Sequence, residues 1–256
     1  MDLKKKIISI IILCIFLSAG TILIIHGVFQ RTEDQLLQKC RIEALVGAKV
    51  MHTFMELMIH TNLLTPDHLL KEEYFAIKGS NPKKFNTRYD ALFDNYIQGF
   101  EDEFLKDEDV IFALLIDRNG YVPTHNSKFS LPPDPDPVKN RKFNRSKRNF
   151  ADKREIMEVL KYTGPGTVRY LYHRDTGELM WNIGSPVHLR DRHWGAFLVG
   201  ISLHRINIIK NQMIIITVTL MIIILSFTLL VILAVIPQKY LEPPADSGAP
   251  AMPKAE

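Results

Sequence analysis

VIFALLIDRNGYVPTHN, residues 110–126, decides how the rest of this chain is read. Val110, Ile111, Phe112, Leu114, Leu115 and Ile116 form a short apolar run rich in β-formers, the pattern of a buried strand. Asp117-Arg118-Asn119-Gly120 follows, and its Asn-Gly supplies the positive φ that a tight hairpin turn needs. The stretch therefore predicts a strand, a turn and a second strand, and with them the start of a sheet. Beyond the turn stand Tyr121, Thr124, His125 and Asn126. A core hairpin has no need of these polar side chains; an edge that faces a ligand does.

Downstream, Val168, Tyr170 and Tyr172 alternate with Arg169 and Leu171, which predicts a strand over residues 167–173. Arg174-Asp175-Thr176-Gly177 turns it into a strand over 179–189, and Arg190-Asp191-Arg192 turns that into another over 193–203. With the first hairpin this makes a five-stranded antiparallel sheet. Upstream, residues 30–63 hold no proline, and Leu37, Cys40, Ala44, Ala48, Met51, Met55 and Met58 recur at intervals of three and four, one stripe of a long helix. Thr65-Pro66 starts a second helix, for which Gly79 is the natural stop, and Asn81-Pro82 starts a third. Phe85, Tyr89, Leu92, Phe93, Tyr96, Phe100 and Phe104 then lie at helical spacing, either to pack on the sheet or to box a cation. The fold class is α+β: a long N-terminal helix and shorter helices packed on a five-stranded antiparallel sheet.

Both ends of the 256-residue chain differ from this middle, although 23% charged residues overall would suit a soluble protein. Residues 7–25 are almost uninterruptedly apolar, and residues 213–236 carry no charge at all. Each run meets the roughly 20 residues needed to cross a bilayer core. The alternative for the first is a cleaved signal peptide, with Ser18-Ala19-Gly20 as the cut, but the apolar run continues past it. Lys4, Lys5 and Lys6 place that end in the cytoplasm, so the middle is extracytoplasmic. The expected division is a transmembrane helix over 7–29, an extracytoplasmic domain over 30–212, a second transmembrane helix over 213–236 and a disordered cytoplasmic tail over 237–256. Cys14 lies in the first span and Cys40 outside it, too far apart for a disulfide with each other. No CxxCH motif is present, so neither a c-type haem nor any other cofactor is expected.

Prolines 132, 133, 135 and 137 exclude regular structure from the loop at 127–144, which leads into Lys139, Arg141, Lys142, Arg145, Lys147, Arg148, Lys153 and Arg154. A basic run outside the membrane has no nucleic acid to meet, which leaves lipid head groups, an anionic ligand or a solvated face. Arg145 and Arg148 are read as inward-facing anion clamps, the others as solvated.

Five segments carry a family resemblance: FNTRYDALFD (85–94), DRNGYVPTHN (117–126), NRSKRNF (144–150), HRDTGE (173–178) and DRHWGAF (191–197). In order and spacing they resemble the extracytoplasmic sensor domain of one group of bacterial methyl-accepting chemotaxis proteins, a Cache-type, PAS-like module, over residues 81–202. The resemblance implies helices ahead of a five-stranded meander, an inner-membrane location, and a small-molecule ligand whose binding is passed through the membrane. Tyr121, His125 and Asn126, with Arg145 and Arg148, sit in the shared motifs and are the expected ligand-binding residues; Tyr170 and Trp181 join them by position on the facing strands. A chemoreceptor continues past its second span into a HAMP module and a methylated coiled coil. Here about twenty Pro- and Ala-rich residues follow, so a separate membrane partner is expected to read any signal.

Three functions compete. The first is a sensor of a small, anionic ligand, homodimeric along the helix at 30–63. The second is a non-sensing scaffold or accessory subunit, which an apolar filling of the cavity would favour and a buried cluster of charges would oppose. The third, a hydrolase, has little support: no GxSxG, HExxH or paired-carboxylate motif occurs, and the histidines lack metal-ligand spacing.

Overall fold

The computed structural model describes residues 3–71, 73–174 and 177–237. It forms two compact units: one takes in Thr32–Ile208, the other the described residues before and after that range. Helix α1 (Leu3–His60) runs unbroken, so the apolar segment and the helix expected over 30–63 are one element. This helix contains a segment long and apolar enough to cross a membrane, and so does the last helix among the described residues, Leu203–Val235. Phe16, Leu23, Phe227 and Leu230 in those segments are exposed, unlike the side chains of a soluble core helix. The tail expected at 237–256 lies, after Pro237, outside the described residues, as do Asp175 and Thr176 of the expected turn.

Within Thr32–Ile208, Thr65 caps helix α2 (Pro66–Leu70), which ends well before Gly79. Strand β1 (Phe75–Ala76) then pairs with β2 (Phe85–Asn86), and helices α3 (Asp90–Tyr96) and α4 (Gln98–Glu103) follow. The long aromatic helix expected from Asn81 is thus broken. The Asp90 carboxylate accepts hydrogen bonds from the Thr87 amide (2.9 Å) and hydroxyl (2.6 Å), which holds residue 87 out of the helix and starts α3 three residues later.

Strand β3 (Val110–Asp117) is as expected, and Gly120 takes the positive φ of the turn. The hairpin is not completed. Strand β4 (Tyr121–Val122) pairs instead with β5 (Arg148–Asn149), as a separate two-stranded ribbon. The cause is Asp117: its carboxylate accepts from the amides of Asn119 and Tyr121 (2.9 and 2.8 Å), which turns the chain away from β3. The main sheet therefore has four strands rather than five, in the order β3-β8-β7-β6, with β6 (Val168–His173), β7 (Leu179–Leu189) and β8 (Arg192–Ser202) in antiparallel register.

Two helices lie where none was expected. Helix α5 (Pro137–Phe143) uses Pro137 at its first turn, with the Asp136 side chain capping the Val138 amide at 2.8 Å. Helix α6 (Arg154–Leu160) turns Ile156, Val159 and Leu160 inward from the basic run.

Each face of the sheet is covered differently. On one face Phe197, Val199, Ile201 and Leu115 are buried, and α1 comes so close that a Cβ on Gly47 would stand 2.2 Å from the Phe197 ring. Met51 and Met55 of α1 are fully buried with them. On the other face Phe112, Leu114, Met180, Tyr172 and Leu198 form a core with Phe129, Phe150 and α6. The outer edge of β3 is closed by side chains: Asn126 Oδ1 accepts from the Ala113 amide (3.0 Å) and Glu101 Oε1 from that of Leu115 (2.8 Å).

Candidate functional site

The second face of the sheet holds a cavity that polar groups enter from three sides. Register sets the floor: Asn182 of β7 pairs with Gly200 of β8, which pairs with Phe112 of β3, and on the other side with Tyr170 of β6. Asn182 is therefore an inward-facing amide among apolar neighbours. It is 1% exposed, and among the described residues neither its Nδ2 nor its Oδ1 finds a hydrogen-bond partner. His125 enters from the segment after β4, packed edge-on against Phe129 with ring centroids 5.0 Å apart. It too is buried, and its Nδ1 is likewise unpartnered among the described residues. Arg145 and Arg174, both 4% exposed, and Tyr172 of β6 complete the polar lining.

The electrostatics are one-sided. Arg145 stacks on Phe150, with its guanidinium carbon 4.9 Å from the ring centroid, and Arg174 stacks on Phe129 at 4.3 Å. Glu178 offers a counter-charge to Arg174 at 3.6 Å, but among the described residues no carboxylate lines the cavity itself. Burial holds the His125 imidazole well below its usual range, and the charges of Arg145, Arg174 and Arg148 push it further down. A neutral imidazole, an amide and two guanidiniums thus line one cavity. Hydrogen-bond donors with fixed positive charge and an apolar floor are what a small oxyanion requires.

The space itself is small. Measured for the centre of a water molecule it is about 20 Å³, room for one water or a group of that size. Roomier hollows lie elsewhere in this domain, about 360 Å³ beside His52 and His188 and about 300 Å³ beneath the proline loop at Lys84. They carry less chemistry. The amides of Asn140 and Asn144 in the latter are already engaged, with the Asp134 amide, the Asn81 carbonyl, Lys84 and each other.

Of the seven residues the sequence pointed to, the structure brings His125 and Arg145 to this cavity. Tyr170 shares the Asn182 rung and packs half-buried on the core, outside the lining. Arg148 flanks it: its guanidinium lies 4.8 Å from Phe150 and donates to the Arg141 carbonyl (3.2 Å), while its charge still reaches His125. Tyr121 is a strut, its single hydroxyl proton donated to Asp90 Oδ2 (2.7 Å), with the Phe85 carbonyl the alternative acceptor at 3.1 Å. Asn126 is another, tying Ala113 to the Glu101 carbonyl. Trp181 stands on the opposite face, with the exposed Arg169 stacked on it at 4.3 Å. Asn182, Tyr172 and Arg174 were missed. Their signal was the phase of β6 and β7, in which Asn182 occupies an inward position that an apolar residue would fill.

No family model matches the chain, and no curated protein is similar to it in sequence. Among solved structures, it is similar to the crystal structure of the V. cholerae histidine kinase DctB sensor domain, at 16% identity with a TM-score of 0.34. The match covers 71% of this chain and 58% of that domain, so the chain spans less than two thirds of its length. Likeness at that level leaves the function to be read from the cavity.

Proposed function

We propose that this chain is a two-span membrane protein whose extracytoplasmic domain senses a small anion, a carboxylate above all, in the cavity bounded by Asn182, His125, Arg145 and Arg174. One observation carries the reading: a fully buried amide and imidazole, each with polar atoms that find no partner among the described residues, share a cavity lining with two buried guanidiniums and apolar side chains. Such polar atoms cost stability unless something bonds them, and an oxyanion accepts from the Asn182 Nδ2, from an imidazole N–H and from the guanidiniums. The five segments that resemble chemoreceptor Cache-type domains agree with this, and the lysines ahead of the first span set the orientation.

The space is water-sized, so a ligand of several atoms enters only when the lining moves apart. The moving part in this reading is the segment from Ser127 to Phe150, which supplies Arg145 and Phe150 to the lining. Ligand binding then shifts an equilibrium between closed and open forms by its differential affinity for the two. The small volume is also the observation that favours a scaffold without a ligand. A thermal-shift titration of the full chain in lipid nanodiscs, with one- to four-carbon carboxylates, phosphate and uncharged controls, separates the two. A carboxylate at about 100 times its dissociation constant stabilises a receptor by roughly 2.7 kcal/mol. Equal indifference to every compound would leave the scaffold.

We further propose that the chain is a homodimer along α1, through the face of that helix that the sheet leaves uncovered. Met51 and Met55 are buried against the sheet, whereas Ile42, Leu45, Val46, Val50 and Leu57 on α1 remain exposed at helical spacing. A second copy of the same helix suits that face.

A further inference from the structure

Three acids and one lysine meet where α1 passes the entrance to β3. Lys39 pairs with Asp107, and its Nζ lies 3.5 Å from Asp109 Oδ2. Asp107 is held in place by the Asp109 amide, which donates to its Oδ1 at 3.0 Å. One turn along α1 from Lys39, Glu43 reaches the same Asp107, side chain to side chain. Glu43 Oε2 is buried, and among the described residues no donor bonds it. Cys40, fully buried on the same turn, offers no charge: burial first, then the carboxylates of Glu43 and Asp107, push its thiol up. One ammonium cannot neutralise three ionised acids, two of them in contact. A proton shared by Glu43 and Asp107 turns their repulsion into a hydrogen bond.

We propose that this cluster is a proton-binding site and a second input to the domain: Glu43 keeps a proton that bonds it to Asp107, and losing the proton loosens α1 from the entrance to β3. The groups facing Glu43 are Asp107 from the β3 side and Lys39 and Cys40 from α1, with Asp109 beyond Lys39. Burial, and then the Asp107 side chain, bring the Glu43 carboxyl up to about 7. Burial would raise Asp107 as well, but Lys39 and the Asp109 amide outweigh it and hold that group below the usual carboxylate range. The proton therefore sits on Glu43 and the charge on Asp107. None of the four residues lines the anion cavity, so this site stands or falls independently of it.

The sign follows from linkage. Between the ordinary 4.5 and about 7 the folded chain holds a proton that the unfolded chain releases. Stabilisation by Glu43 is thus complete below that window, declines as pH rises through it, and is gone above it. The test is the unfolding temperature of the full chain in nanodiscs from pH 4 to 9, for wild type and Glu43→Gln, which keeps a hydrogen bond without titrating. The variant-minus-wild-type difference should grow through the window and level off above it. Infrared difference spectra should show a carboxylic-acid band that disappears with a midpoint near 7 in the wild type and is missing in Glu43→Gln. In Asp107→Asn its midpoint should move down towards 4.5, and this variant decides if Glu43→Gln does not fold. Parallel temperature profiles, a band near 7 that survives Glu43→Gln, or an unmoved midpoint in Asp107→Asn would overturn the proposal.

Discussion

Asn182 shows what a single residue contributes at a site and what it costs the fold. A buried amide without a partner destabilises the folded chain, so Asn182→Leu, close in volume, should raise stability by about 1–2 kcal/mol in chemical denaturation while abolishing the response to anions. A loss of stability would mean that the amide holds the fold together. His125 yields a pH prediction of opposite sign to that of Glu43. Its folded-state pKa is depressed by burial and by the arginines, so its contribution is full above the unfolded value near 6.5 and is lost as pH falls below it, by up to about 1.4 kcal/mol per pH unit. His125→Asn should remove that acid-side loss. Because the Glu43 and His125 slopes oppose each other, each is read as a difference between variant and wild type. A His125→Asn profile parallel to wild type below pH 6.5 would show that the imidazole ionises freely. His125 and Arg145 were legible in the sequence because polar residues crowd the stretch after the turn and the loop that follows. Asn182 was not, since a lone asparagine in a strand has no visible meaning until register places it beside Gly200 and Tyr170.

Among elements, legibility followed the strength of local signals. Strands β6, β7 and β8 were placed to within a residue because alternation and turn residues agreed. The fifth strand failed: the Asn-Gly turn was read correctly, but Asp117 diverts the chain after it towards Arg148 and Asn149, a long-range pairing that no local pattern encodes. Helix α5 was hidden by prolines read as breakers, although Pro137 sits where a first turn accepts it. The long stripe on α1 was read correctly as a helix, but its Met and Ala residues pack on the sheet of the same chain. Gly47 is the point of closest approach, so Gly47→Ala should destabilise by about 1–3 kcal/mol through its clash with Phe197, despite alanine's better helix propensity. Denaturant titration measures this. A more stable variant would show that α1 stands further from the sheet than 2.2 Å to a Gly47 Cβ implies.

For the whole molecule, two segments long and apolar enough to cross a membrane flank the domain Thr32–Ile208, and the exposed stripe on α1 is where the proposed second copy would pack. Val46→Cys or Val50→Cys should form disulfide-linked dimers in native membranes under mild oxidation, whereas Met51→Cys, which faces the sheet, should not. The reverse pattern would place the interface elsewhere. The central claim, that the cavity receives an anion, is tested most directly by calorimetric titration of the full chain in nanodiscs with the carboxylate that stabilises it most. The account predicts one site per chain, with binding weakened at least tenfold, or about 1.4 kcal/mol, in Arg145→Gln and again in Asn182→Leu. Wild-type chain that binds no anion, or variants that bind as tightly as wild type, would contradict it.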